Sequence, residues 1–142
     1  MPKPCPALPH KCILVVDDEQ LVCDAIRMML NFDGHVVETT SNPKDALAKI
    51  EQRSYDLVIT DFAMPAMRGD ELAAAIKSRR PGQPVALITA YAEMLQSTHR
   101  EMPGVDFVIS KPFLLENLRQ AIAKATSEKT EAGAINSRPE AD

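Results

Sequence analysis

DLVITDFAMP, residues 56–65, is the stretch whose reading decides the fold. It opens on a short run, Asp56 to Thr60, rich in apolar and β-branched residues, the composition of a strand buried in a parallel sheet. The run ends on a carboxylate, Asp61, followed by Phe62-Ala63-Met64-Pro65. Four more runs share this build: Cys12 to Val16 and Val36 to Thr39 before it, Pro84 to Thr89 and Asp106 to Ser110 after it. Amphipathic stretches separate them, and strand-helix alternation of this kind folds around a buried parallel sheet. The first helix places Leu21, Val22, Ala25, Ile26, Met29 and Leu30 at helical spacing. A second starts at Asn42 as N-cap with Pro43 in its first turn. The third runs from Asp70 to Arg79, ahead of Pro81-Gly82. A fourth, near Ala92 to His99, has only Met94 and Leu95 to anchor it, which predicts a short, loosely held helix. The fifth sets Leu115, Leu118, Ile122 and Ala125 on one face. The prediction is an α/β domain of five strands and five helices.

Length and charge narrow the rest. The 142 residues fit one domain, 11–126, with residues 1–10 and the aperiodic Ser127 to Asp142 expected to be disordered at either end. Sixteen Lys plus Arg against twenty Asp plus Glu give a net charge of −4. Neither sign forms a block, so no direct nucleic-acid contact and no anionic-membrane footprint is expected. Cys5, Cys12 and Cys23 lack disulfide or zinc spacing, which fits a reducing cytoplasm. No window approaches the ~18 apolar residues of a membrane span, and Met1 to Pro9 lacks a signal-peptide core. Met28, Met29 and Cys23 are expected as core or near-core fillers of the first helix, and His10, His35 and His99 as lone surface histidines.

In an open parallel sheet the functional crevice lies outside the carboxyl ends of the strands. The first strand ends in Asp17-Asp18-Glu19, the third in Asp61, the fourth in Thr89-Ala90 and the fifth in Lys111-Pro112-Phe113. Clustered carboxylates repel one another and resist burial unless a cation sits among them. Three aspartates against one divalent cation and Lys111 balance formally to zero. Oxygen ligands without His or Cys favour Mg²⁺, or Mn²⁺, over zinc. Such a site suits phosphoryl transfer, with Asp61 as nucleophile and the loop after it offering a backbone carbonyl to the metal. Two questions stay open at this point: whether Asp18 and Glu19 are ligands or a helix cap, and whether Thr89 donates to a phosphate or satisfies backbone.

Asp17-Asp18, DLVITDFAMP around Asp61, LITAY around Thr89 and FVISKPF around Lys111, in that order, resemble the receiver domain of two-component response regulators. The resemblance spans roughly residues 11 to 126. It implies a flavodoxin-like, doubly wound sheet of strand order 2-1-3-4-5. It also implies that Asp61 accepts the phosphoryl group, that Asp17, Asp18, Asp61 and the Ala63 carbonyl hold Mg²⁺, that Thr89 is the switch hydroxyl and that Lys111 holds the phosphate. A cis peptide before Pro112 belongs to the same pattern. The implied partners are a histidine kinase or histidine phosphotransfer protein and a downstream protein, and a phosphorylation-dependent dimer is compatible with it.

Three positions depart from the pattern. Val108 stands where receivers usually carry a Tyr or Phe that swings inward, and Phe107 should face the opposite side. Tyr91 is the nearest replacement ring, and its TAY context resembles receivers in or beside hybrid sensor kinases. Ala63 lacks the polar group common beside the phosphate, and Arg68 adds a positive charge where an acid is common. Without the ring, signalling is expected to run through Thr89 into residues 90–100; if that segment does not respond, the chain is a phosphate sink. Among rivals, an aspartyl-phosphate phosphatase of haloacid dehalogenase type would need an acid at position 63. A flavodoxin-like cofactor carrier would need a phosphate loop where Asp17-Asp18 stand.

Overall fold

The computed structural model describes residues 11–90 and 104–134. In chain order these form β1 (Cys12–Val16), α1 (Gln20–Phe32), β2 (Val36–Thr40), α2 (Pro43–Gln52), β3 (Leu57–Asp61), α3 (Gly69–Arg79), β4 (Val85–Thr89), β5 (Phe107–Ser110) and α4 (Leu115–Ala134). All strand pairs are parallel, and the sheet order is β2-β1-β3-β4-β5. Four helices therefore lie among the described residues. The short helix expected at 92–99, together with Tyr91, falls outside them, as do residues 1–10, His99 and 135–142.

Strand alternation splits the core into two halves. Ile13, Val15, Ile59 and Ile88 face Cys23, Ile26 and Leu30 of α1 and Leu118 and Ile122 of α4. Leu14, Val16, Val58 and Val85 face Ala46 and Ile50 of α2 and Leu72 and Ile76 of α3. The three central strands are buried on both sides, which is why they read as unbroken apolar runs.

Local chemistry sets the element ends. Asn42 Oδ1 accepts from the Lys44 N–H at 2.8 Å, the cap expected of an Asn before Pro43. α1 closes on Gly34 at φ 90°, whose N–H donates to Asn31 O while His35 N–H reaches back to Leu30 O. β3 and β5 start one residue later than the sequence suggests, because Asp56 and Asp106 turn their carboxylates onto the neighbouring strand. Asp56 Oδ2 accepts from Cys12 N–H at 2.8 Å and Asp106 Oδ2 from Val85 N–H at 2.9 Å.

Several expectations need correction. α4 runs on to Ala134, past the boundary at 126, because Glu, Lys and Ala extend an already nucleated helix at little cost even without apolar periodicity. Leu21 and Met28 are exposed, since they lie across α1 from Ile26, whose side of the helix is the one the sheet covers. His35 is buried, with Nδ1 accepting from the Lys11 backbone N–H at 3.1 Å. Among the described residues no helix is long and apolar enough to cross a membrane.

Candidate functional site

Two strand ends and two strand exits meet at the carboxyl edge of the sheet. Asp61 closes β3 and Thr89 closes β4, while Asp17 and Lys111 follow β1 and β5 directly. Ladder-like backbone bonds carry on past the strands and hold these residues in register. Asp17 N–H donates to Thr40 O at 3.1 Å, Phe62 N–H to Ile88 O at 2.9 Å and Lys111 N–H to Thr89 O at 2.9 Å. The chemistry therefore sits on backbone that the hydrogen bonds of the sheet hold in place.

Carboxylate oxygens of Asp17, Asp18 and Asp61 lie within 4.8 Å of one another. Lys111 Nζ is 2.9 Å from Asp61 Oδ1. Asp18, Glu19, Asp61, Ala63, Thr89 and Lys111 line a cavity of about 230 Å³ together with Ala90. Asp17 and Thr89 are both buried, and Asp17 stands behind the cavity rather than in its wall. Burial pushes the Asp17 carboxyl up to about 6, the charges of Asp61 and Asp18 add to the rise, and the Glu19 N–H and Lys111 oppose it. Burial alone would lower Lys111, but its hydrogen bond and charge contact with Asp61 outweigh that, and the ammonium ends above its ordinary value.

The open question about the helix cap has a geometric answer. Glu19 is the N-cap residue of α1 and its side chain makes no capping bond. Instead Asp17 Oδ1 accepts from the Glu19 N–H at 2.8 Å, which fixes the turn out of β1 and leaves the Asp18 carboxylate beside the other two. Three carboxylates converging without His or Cys form an all-oxygen donor set, and a divalent metal ion fits it because it would relieve their mutual repulsion.

Other singled-out residues sort themselves by geometry. The Lys111–Pro112 peptide is cis. Arg68 forks onto Asp70, Nε to Oδ1 at 2.9 Å and Nη2 to Oδ2 at 3.0 Å, and its N–H donates to Glu71 Oε1 at 3.0 Å, so its charge is spent at the start of α3. Phe107 packs into the α1/α4 half of the core, so it does not replace a ring at Val108. Ala63 offers no side-chain acid, so the second carboxylate that phosphatase chemistry of the haloacid dehalogenase type needs at this position is missing. Sequence reading missed Gly69. A Cβ there would lie 2.2 Å from Asp61 O and 2.6 Å from Leu87 Cδ1, and the Gly69 N–H donates to Phe62 O at 2.8 Å. The only signal was a lone glycine opening the third helix, where Ser, Thr, Asp or Asn is usual.

An open parallel sheet carrying three clustered aspartates and a lysine at one carboxyl edge defines a class of α/β domain whose acidic edge suits phosphoryl chemistry. A family model of the response regulator receiver domain matches residues 13–123, and the chain belongs to that family. It is 32% identical to the response regulator MprA of Mycolicibacterium vanbaalenii over 124 residues, 85% of this chain and 54% of that one. It is 30% identical to the probable transcriptional regulatory protein TcrX of Mycobacterium tuberculosis over 106 residues, 75% and 45% of the two chains. The chain thus spans about half the length of these curated relatives. Among solved structures it resembles a CheY-like receiver domain protein of Methanospirillum hungatei, with TM-score 0.79, 32% identity and coverage of 88% and 100%. It also resembles the response regulator TrrA of Thermotoga maritima, solved in complex with Mg(2+)-BeF, with TM-score 0.69, 32% identity and coverage of 81% and 98%.

Proposed function

We propose that this receiver takes a phosphoryl group onto Asp61 from a phosphohistidine of a histidine kinase or phosphotransfer protein. Response regulator receivers are phosphorylation-dependent switches of two-component systems, and the assignment of residues to that task rests on one observation. The buried Asp61 carboxylate lies at once within 4.8 Å of two other aspartates and 2.9 Å from an ammonium. In the transfer, an Asp61 oxygen bonds to phosphorus in line as the phosphorus–nitrogen bond to the donor imidazole breaks, and the proton balance falls on the departing imidazole. Mg²⁺, held by Asp17, Asp18, Asp61 and the Ala63 carbonyl, would supply charge neutralisation of the transferring oxygens. Mn²⁺ has the same ligand preferences. Lys111 releases Asp61 and takes a phosphate oxygen, and Thr89 offers its hydroxyl to another.

Output then follows from two bonds made at neighbouring strand ends. Thr89 closes β4 and Lys111 directly follows its paired strand β5, and a backbone bond of 2.9 Å ties the two residues. Phosphate contacts to both draw β4, β5 and the loop after Thr89 together, without need of a rotating ring at Val108. Slow self-hydrolysis resets the switch.

The test is acetyl phosphate or beryllofluoride with Mg²⁺, read by mass spectrometry and amide exchange. The parent gains one phosphoryl group on Asp61, and Asp61→Asn gains none. Exchange changes at Thr89 and along Phe107–Ser110 accompany it, and Lys111→Ala retains phosphorylation while losing those changes. An adduct on another aspartate sinks the assignment. A phosphorylated chain with no exchange change beyond the Asp61 loop marks a phosphate sink instead of a switch.

A further inference from the structure

Two loops meet at the amino edge of the sheet, opposite the edge that carries Asp61: the one between α2 and β3 and the one between α3 and β4. Three side chains clasp them together. Arg79 Nε donates to Glu51 Oε2 at 2.8 Å, Arg80 Nε donates to Ile50 O at 2.6 Å, and the buried Gln83 accepts from the Tyr55 N–H through Oε1 at 2.9 Å. The Gln83 N–H also donates to Arg80 O at 3.0 Å and closes the turn through Pro81-Gly82. Between the loops lies a cavity of about 340 Å³, walled by Ser54, Tyr55, Arg79, Arg80, Gly82 and Gln83 together with Pro81. That volume falls within the range of small-molecule sites. Among the described residues Arg27, Arg53, Arg68, Arg79 and Arg119 each pair with a carboxylate, and Arg80 does not. Its guanidinium is half-buried, so it has lost part of its hydration with no counter-charge in return. Capping accounts for one of its nitrogens only. Ile50 O is among the last four carbonyls of α2, which lack partners within the helix, and Nε alone satisfies it.

We propose that this cavity binds a small organic acid, its carboxylate or phosphate monoester seated on the Nη1 and Nη2 edge of Arg80. A guanidinium presents two parallel N–H donors at the spacing of two oxyanion oxygens, and the Nε bond to Ile50 O holds the fork in one orientation before any ligand arrives. Ser54 brings a hydroxyl to the same wall, a second donor for an oxyanion. Glu51 already offsets Arg79, so the two arginines of the wall leave one uncompensated positive charge, which matches one acidic head. The remaining volume takes a body of about one ring beside that head. Tyr55, Pro81 and the stems of the arginines give such a body apolar surface to lie on. The site requires nothing of Asp61 and stands apart from the phosphorylation reading.

Phenyl phosphate, benzoate and the uncharged benzamide, each titrated into the isotope-labelled full chain and followed by NMR, test it. Metal-free buffer keeps the anions away from the acidic cluster around Asp61, which repels them. Amide resonances of Ser54, Tyr55, Arg80, Gly82 and Gln83 shift saturably with one or both anions, with a dissociation constant on the order of 1 mM. Those of Asp17 and Asp61 stay in place, and benzamide moves none of them. Tighter binding of phenyl phosphate assigns the natural ligand to phosphate esters, and binding of benzoate as tight or tighter assigns it to carboxylic acids. Arg80→Gln weakens the anions by about tenfold or more, the loss expected when a charge-assisted fork is removed. That substitution also disturbs the bond to Ile50 O, so Gly82→Glu is the second variant. A Cβ at Gly82 meets nothing within 4 Å, so this chain melts with the parent while its new carboxylate competes for Arg80 and weakens both anions. Gly82→Gln, of the same size, binds as the parent does. Absence of shifts with both anions overturns the proposal, as do shifts of equal size with benzamide. An affinity that Arg80→Gln or Gly82→Glu leaves unchanged overturns it as well.

Discussion

Asp17 is where burial and charge crowding meet in this site. Its carboxyl is pushed up to about 6, chiefly by burial, against an unfolded value near 3.9. Between those values the folded chain binds a proton that the unfolded chain has released, so without metal the stability owed to this group falls as pH rises from about 4 to about 6. Asp17→Asn keeps a side-chain oxygen for the Glu19 N–H and removes the charge. With a chelator present, it should match the parent near pH 4 and exceed it by on the order of 2 kcal/mol at pH 7.5, as read by urea denaturation. Equal differences at both pH values would remove the assignment. Gly69 acts at the same scale through its missing Cβ. Gly69→Ala forces a methyl against the Asp61 backbone, where 2.2 Å leaves no room, and should cost about 3 kcal/mol while slowing phosphorylation of Asp61. A melting temperature equal to the parent's would show that the loop yields freely.

At the scale of elements, α1 and α4 are locked by one polar contact beside their shared core. Arg119 Nε and Nη2 each donate to an Asp33 oxygen at 2.8 Å, joining the C-terminal end of α1 to the second turn of α4. The Arg119 hydrogen bonds hold the Asp33 carboxyl below its ordinary value, and the guanidinium charge and His35 act in the same direction. A lowered folded value stabilises above the unfolded value of about 3.9 and is lost as pH falls through the folded one. Asp33→Asn should therefore melt a few degrees below the parent at pH 7, and the gap should close as the pH approaches 2. A gap that persists in acid would mean that the contact works by packing alone. The elements also show why the buried side of α1 could not be assigned from periodicity. Leu21, Ala25, Ile26, Met29 and Leu30 all recur at helical spacing, and only the position of the sheet says which arc is buried.

The whole molecule is a rigid sheet whose carboxyl edge is held under electrostatic stress by three acids. A divalent ion that binds the folded chain alone should relieve that stress. At Mg²⁺ ten times its dissociation constant the gain is about 1.4 kcal/mol, a rise in melting temperature of roughly 3–5 °C. Asp18→Asn should abolish the rise, and a parent indifferent to millimolar Mg²⁺ would leave the acidic cluster without a metal. Much of this was legible in the chain itself. Unbroken apolar runs of four or five residues revealed doubly buried strands, because only a covered parallel sheet tolerates them. What followed each run revealed the chemistry, because the crevice of such a sheet lies at its carboxyl ends. The Asn42 cap was likewise a local matter of one side chain and one N–H. Tertiary structure alone decided the remainder. It chose Asp17 rather than Asp18 or Glu19 to bind the turn, buried His35 against the start of β1, and set Gly69 against Asp61 across seven residues of loop. It also turned Leu21, Met28 and Phe32 outward. Each of these depends on which atoms lie within a few ångströms across the fold. Sequence spacing specifies periodicity along one element, whereas contact between elements exists only once the sheet has placed them.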